Sequence, residues 1–133
     1  MKTKTLNKSF YISITNLFYA FSMIDKKMSL EEKKEIVWSV KEEWATNEFG
    51  FNSEELIYET MRELIKENLS AEKAYENFKA YFIANKELFT RQINLDILDA
   101  CHKICNATGG GKNKSELILL TKLHKLVHES THK

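Results

Sequence analysis

Cys101 and Cys105 stand four residues apart, and so do His124 and His128, with eighteen residues between the two pairs. On a helix each pair shares a face, and two thiolates with two imidazoles form a zinc set. The spacing argues against convergence. In an antiparallel hairpin about glycines 109–111, Cys101 lies roughly 9 Å from the turn and His124 roughly 16 Å, at one helical rise per residue. That offset of about 7 Å is too large for ligands that must all approach one ion to 2.0–2.3 Å. Cys101 also falls in mid-stripe among apolar residues, which favours a core thiol.

Other chemistry is thinner. The run Gly109-Gly110-Gly111-Lys112-Asn113-Lys114-Ser115 has glycines and lysines in the manner of a phosphate loop. It lacks the glycine five positions before the Gly-Lys pair, where Asn106 stands, and the Ser/Thr after the lysine, where Asn113 stands. No strand precedes it. What is left is a helix N-terminus between two lysines, a weak anion site at most, or simply a helix stop followed by a helix start. Asp96, Asp99 and His102 fall near one face of a helix, the usual pattern of a solvated surface. His102, His124, His128 and His132 have no nucleophile beside them in sequence. The chain therefore reads as a protein without catalytic activity. Trp38 is the candidate for partner binding. It sits about 100° from Val37 round its helix, at the edge of the apolar stripe, where an exposed indole makes a hot spot. The competing reading packs Trp38 beneath the Trp44–Phe51 turn.

The elements that would position these residues are helices. The chain has 133 residues, enough for one modest domain over 1–133. Proline is absent and glycine occurs four times, at position 50 and at 109–111. Strand-rich folds need more turn residues than that. Twenty basic residues against nineteen acidic ones leave a net charge of +1. Nucleic-acid binding is not expected from such a balance. Two cysteines are too few for a disulfide framework and suit a reducing, cytoplasmic setting.

Apolar periodicity and caps predict six segments. The first covers residues 9–25, with Phe10, Ile14, Leu17, Phe18, Phe21 and Ile24 at helical spacing. Lys2, Lys4 and Lys8 before it, and Ala20-Phe21-Ser22 within it, also permit a secretory-signal reading. Ser13, Thr15, Asn16 and Ser22 interrupt the apolar run and favour an amphipathic helix, too short to insert across a membrane. The second helix opens on Ser29-Leu30-Glu31-Glu32, a capping box, and carries Ile36, Val37, Val40 and Trp44. The third follows Asn52-Ser53-Glu54-Glu55, with Leu56, Ile57, Thr60, Met61, Leu64 and Ile65 inward. The fourth is capped by Ser70 and buries Ala74, Tyr75, Phe78, Tyr81 and Phe82. The fifth starts near Thr90, with Ile93, Ile97, Ala100, Cys101 and Ile104. The sixth begins at Asn113 and buries Leu119, Leu120, Leu123, Leu126 and Val127.

A shift of 84 residues places Ser29 on Asn113, Glu32 on Glu116, Ile36 on Leu120 and Phe21 on Cys105. Two helix–loop–helix hairpins with matched caps thus bracket the third and fourth helices. Capping boxes are common, so this match also has a purely local explanation. The two copies read Phe21-Ser22-Met23-Ile24-Asp25-Lys26-Lys27-Met28-Ser29-Leu30-Glu31-Glu32 and Cys105-Asn106-Ala107-Thr108-Gly109-Gly110-Gly111-Lys112-Asn113-Lys114-Ser115-Glu116. This arrangement resembles the TerB-like family, named for tellurite resistance. Its hallmark is a helix ending in Ala-x-Ala-Asp-Gly, a short loop and Ser/Asp-x-x-Glu, occurring twice. The first copy keeps the aspartate and the cap but has Lys26 for the glycine. The second has Gly109 in place of the aspartate.

The resemblance implies an all-α bundle of six or seven helices built on two pseudo-symmetric hairpins. It implies an accessory or interaction domain with a protein partner, serving tellurite or other stress responses. It also implies a divalent cation as the one candidate cofactor, held by Asp25, Glu31, Glu32 and Glu116. Asp25 and Glu32 can approach across a three-residue loop, but hard cations want six or more oxygens. Lys26, Lys27 and Lys112 oppose the charge. Glu31, Glu32 and Glu116 have a second reading, as carboxylates serving a helix N-terminus and its cap.

Overall fold

A computed structural model describes residues 7–24, 53–106 and 114–131. Every regular element among them is helical: α1 (Lys8–Met23), α2 (Ser53–Glu67), α3 (Ala71–Ala84), a short 3-10 turn (Lys86–Leu88), α4 (Arg91–Asn106) and α5 (Lys114–Thr131). The predicted helix that opens at Ser29 lies outside the described residues. Among the described residues no helix is long and apolar enough to cross a membrane.

The helix boundaries follow local chemistry. Asn7 caps α1, its Oδ1 accepting from the Phe10 amide at 2.9 Å. Ser70 caps α3, its hydroxyl oxygen accepting from the Lys73 amide at 3.1 Å. Thr90 does the same for α4 through the Ile93 amide at 3.2 Å. Each satisfies a backbone donor that the first helical turn leaves without a partner. Helix α2 stops at Asn68, whose φ of 52° is left-handed. The Asn68 amide donates to Ile65 and the Leu69 amide to Leu64, the paired bonds of a Schellman stop. Leu69 then folds back against the core.

Helix α1 is the axis of the molecule. It packs against α2, α3 and α4, while α4 also packs against α5. An amphipathic α1 with one watery face was expected, and the structure corrects this. Phe10, Tyr11 and every residue from Ser13 to Ser22 are buried. The four polar residues lie inside because their polar groups turn back onto their own helix. Ser13 donates to the Phe10 carbonyl, Thr15 to Tyr11, Asn16 to Ile12 and Ser22 to Phe18, at 2.7–3.1 Å. Buried hydroxyls satisfied in this way cost little, so α1 can be enclosed although its sequence is only partly apolar.

The aromatic residues fill one end of this core. Phe89, after the 3-10 turn, meets Phe82 at 4.7 Å and Phe10 at 5.4 Å between ring centroids, with Phe78 edge-on at 6.0 Å. The inward set predicted for α3 is buried, except that Tyr81 is half-buried and its hydroxyl reaches Asn7 at 3.2 Å. Ile57 and Leu64 of α2 are buried, while Ile65 is 43% exposed, at the margin of the face that meets α1.

Candidate functional site

Helices α4 and α5 supply Ile97, Ala100, Cys101, Ile104, Leu119, Leu120, Leu123 and Val127 to the common core. On each helix a histidine stands one position after a core residue: His102 after Cys101, and His124 after Leu123. One step along a helix is about 100° of rotation, which carries both side chains from the core to the margin of the seam. There the rings meet. Their Nε2 atoms are 3.2 Å apart, their centroids 5.4 Å apart and their planes at 69°. An imidazole nitrogen accepts only when unprotonated, so this contact needs at least one neutral ring to receive the other's N–H. Asp99, one turn before His102, pairs with Lys103 at 3.1 Å, with both side chains about half exposed.

His128 follows His124 by one turn, and both line a shallow groove of about 370 Å³ with Arg91, Asn94, Leu95, Leu98 and Val127. Asn94 donates its amide to the Phe89 carbonyl at 3.3 Å. Its Oδ1 is buried without a hydrogen-bond partner among the described residues.

His102, next in chain to Cys101, meets His124, so these two positions of α4 and α5 lie within side-chain reach of each other. Register between two helices is set by interdigitating core side chains rather than by equal counting from the turn. What separates the thiols from the histidines is orientation. Cys101 and Cys105 are 0% and 1% exposed within the core. Burial pushes the Cys101 thiol well above its usual range, and the neighbouring Cys105 adds to this. A thiol held protonated is a poor metal ligand. Among the described residues no three His, Cys, Asp or Glu side chains are grouped to hold a metal ion.

Of the acidic set Asp25, Glu31, Glu32 and Glu116, only Glu116 is among the described residues. It is 4% exposed in the first turn of α5, where a carboxylate meets the positive end of the helix dipole. Trp38 and glycines 109–111 also lie outside the described residues. The end of α1, the start of α3 and the start of α5 come together at a second groove of about 240 Å³, lined in part by Ile24, Ala71, Glu72, Tyr75, Ser115 and Ile118. Burial pushes the Tyr75 hydroxyl up to about 12, with Glu76 and then Cys101 contributing. On α5, Leu117 and Ile118 are each 50% exposed.

Sequence reasoning placed His102 with Asp96 and Asp99 and left His124 with His128. It missed the contact between His102 and His124. The available signal was their equivalent position, each one residue past a core residue on neighbouring helices of a hairpin.

No family profile, no curated protein sequence and no solved structure shows a significant match to this chain.

Proposed function

We propose that this chain is a non-enzymatic, TerB-like interaction domain that docks a protein partner in tellurite or another stress response. In this reading the bundle has six or seven helices, and its first and last hairpins are related by pseudo-symmetry. Direct packing of α1 on α4, the leading helices of the two hairpins, supports that layout. The observation that carries the functional reading is the adjacent pair Leu117 and Ile118, each half exposed on α5. Ile118 also lines the groove between α1, α3 and α5. Isolated exposed apolar residues are ordinary, but two consecutive ones, one of them lining a groove of mixed apolar and charged walls, make a patch of the kind that partners cover. A Leu117→Lys/Ile118→Lys variant should lose a partner that co-purifies with the wild-type chain while melting at an unchanged temperature. Equal capture by both forms would overturn the reading.

A second reading is a divalent-cation protein using Asp25, Glu31, Glu32 and Glu116. It is favoured by the groove that both Ile24 and Ser115 line, because these residues immediately precede Asp25 and Glu116 in the chain. Binding to the native state raises the melting temperature by linkage. Millimolar Ca²⁺, Mg²⁺ or Mn²⁺ should then stabilise the wild type and not the Asp25→Ala variant. No stabilisation of the wild type would exclude this reading.

A further inference from the structure

We propose that His102 and His124 form a two-histidine clip for an exchangeable divalent transition-metal ion, bridging α4 and α5. This site uses none of the acidic residues considered above and takes a different class of ion.

The geometry carries the proposal. Two imidazole nitrogens bound to one tetrahedral ion, each at 2.0–2.1 Å, are separated by about 3.3–3.4 Å; cis positions of an octahedral ion give about 2.8–3.0 Å. The Nε2 atoms of His102 and His124 are 3.2 Å apart, between those two values. The rings approach through these nitrogens, since the centroids are 5.4 Å apart and the planes cross at 69°. The histidines stand on different helices, which pack on each other and contribute Ile97, Ala100, Leu123 and Val127 to one buried core. The ligand spacing is therefore present before the ion arrives, and each ring has only to tilt so that its lone pair meets an ion off the Nε2–Nε2 line, which limits the ordering cost of binding.

The exchange is chemically simple. Without metal, one ring carries its proton on Nε2 and donates it to the other. On binding, that proton moves to Nδ1 through solvent, so both rings offer an Nε2 lone pair and neither changes charge. The ion takes the place of the shared proton, and water fills its remaining positions. Imidazole ligands suit Zn²⁺, Ni²⁺ and Cu²⁺ rather than Ca²⁺ or Mg²⁺. Two protein ligands are fewer than a closed structural zinc site uses, so the ion should exchange freely.

A competing pair lies on α5 alone, because His124 and His128 are also one turn apart. The test must separate the two. Tag-free chain of residues 1–133 is titrated with Zn²⁺ and with Ni²⁺ at about pH 7.5, and affinity is read by calorimetry. One ion per chain is expected. His102→Ala and His124→Ala should each weaken binding by about tenfold or more, as loss of one of two ligands requires. The double variant should bind no more tightly than either single one, and His128→Ala should bind as the wild type does. His102→Gln keeps a hydrogen-bonding side chain without the imidazole, and should lose binding while its metal-free melting temperature stays near wild type. Lowering the pH to about 5.5 should also weaken binding, because protons compete for the same nitrogens. The proposal is overturned if no saturable binding of one ion occurs. It is also overturned if both His102 variants keep wild-type affinity while His128→Ala loses it, which would place the ion on α5 alone.

Discussion

The hydroxyl of Tyr19, on the central helix, donates a 2.7 Å hydrogen bond to the main-chain carbonyl of Leu69, fifty residues further along the chain. Tyr19 is fully buried, and Leu69 belongs to the turn between α2 and α3. One side chain of α1 thereby closes the same turn that the Schellman bonds at Asn68 begin.

Replacing Tyr19 by phenylalanine keeps the ring in its place and removes this bond. The Leu69 carbonyl then faces a buried carbon. A stability loss of about 0.5–1.5 kcal/mol is expected for the loss of this part-buried hydrogen bond. Urea unfolding should show a lower midpoint with an unchanged slope, because the surface exposed on unfolding is the same. A midpoint equal to that of the wild type would show that the carbonyl finds another donor.

Asn68 is the residue whose backbone tests the helix stop. Its positive φ costs an alanine roughly 1–2 kcal/mol but costs glycine nothing sterically. Asn68→Gly should therefore melt at or slightly above the wild-type temperature, and Asn68→Ala below it. At the neighbouring cap, Ser70→Ala should cost about 0.5–2 kcal/mol through loss of the bond to the Lys73 amide. Thermal unfolding followed by circular dichroism can rank the three variants.

The polar residues inside α1 separate two kinds of buried hydrogen bond. The Thr15 hydroxyl only supplements a carbonyl of its own helix, so Thr15→Val should change stability by less than about 1 kcal/mol. Asn16 in addition accepts from the Asn77 amide at 3.1 Å, joining α1 to α3. Asn16→Ala should cost more than Thr15→Val, since it leaves a cavity and breaks the bond between helices. An equal effect of the two substitutions in chemical denaturation would mean that the Asn16–Asn77 bond contributes nothing.

Alkaline titration reads the buried tyrosines. The Tyr75 hydroxyl is pushed up to about 12, above the ordinary tyrosine value near 10. The unfolded chain therefore releases this proton before the folded one does. Its contribution to stability is fully present below about pH 10 and is lost as the pH rises towards about 12. Tyr19 is shifted in the same direction, by burial first and then by Glu67. Tyr75→Phe should flatten the fall in melting temperature across this window. An unaltered alkaline slope would show that Tyr75 ionises as an exposed tyrosine does.

Much of the helical layout was determined locally. Ser70, Thr90 and the spacing of Ala74, Tyr75, Phe78 and Phe82 placed α3 and the start of α4 because capping and 3.6-residue periodicity act within a few residues. The same holds for Ile97, Ala100, Cys101 and Ile104 on α4, and for Leu119, Leu120, Leu123 and Val127 on α5. The all-helical class was legible from the lack of proline and the scarcity of glycine.

Tertiary structure decided what those helices surround and which side chains meet. Ser13, Thr15 and Asn16 suggested a watery face for α1, yet α1 is buried and packs against α2, α3 and α4, and these polar groups bond back to α1 carbonyls, with Asn16 also accepting from Asn77 of α3. The short turn that swings Phe89 under Phe10 and Phe82 depends on rings more than seventy residues apart in sequence. The histidine pair depends on the register of α4 against α5, which the packing of their buried side chains sets. Residue type and local spacing report the hydrogen bonds and rotation of a single helix. Burial and cross-helix distance arise only when separate helices compete to exclude water from one shared interior.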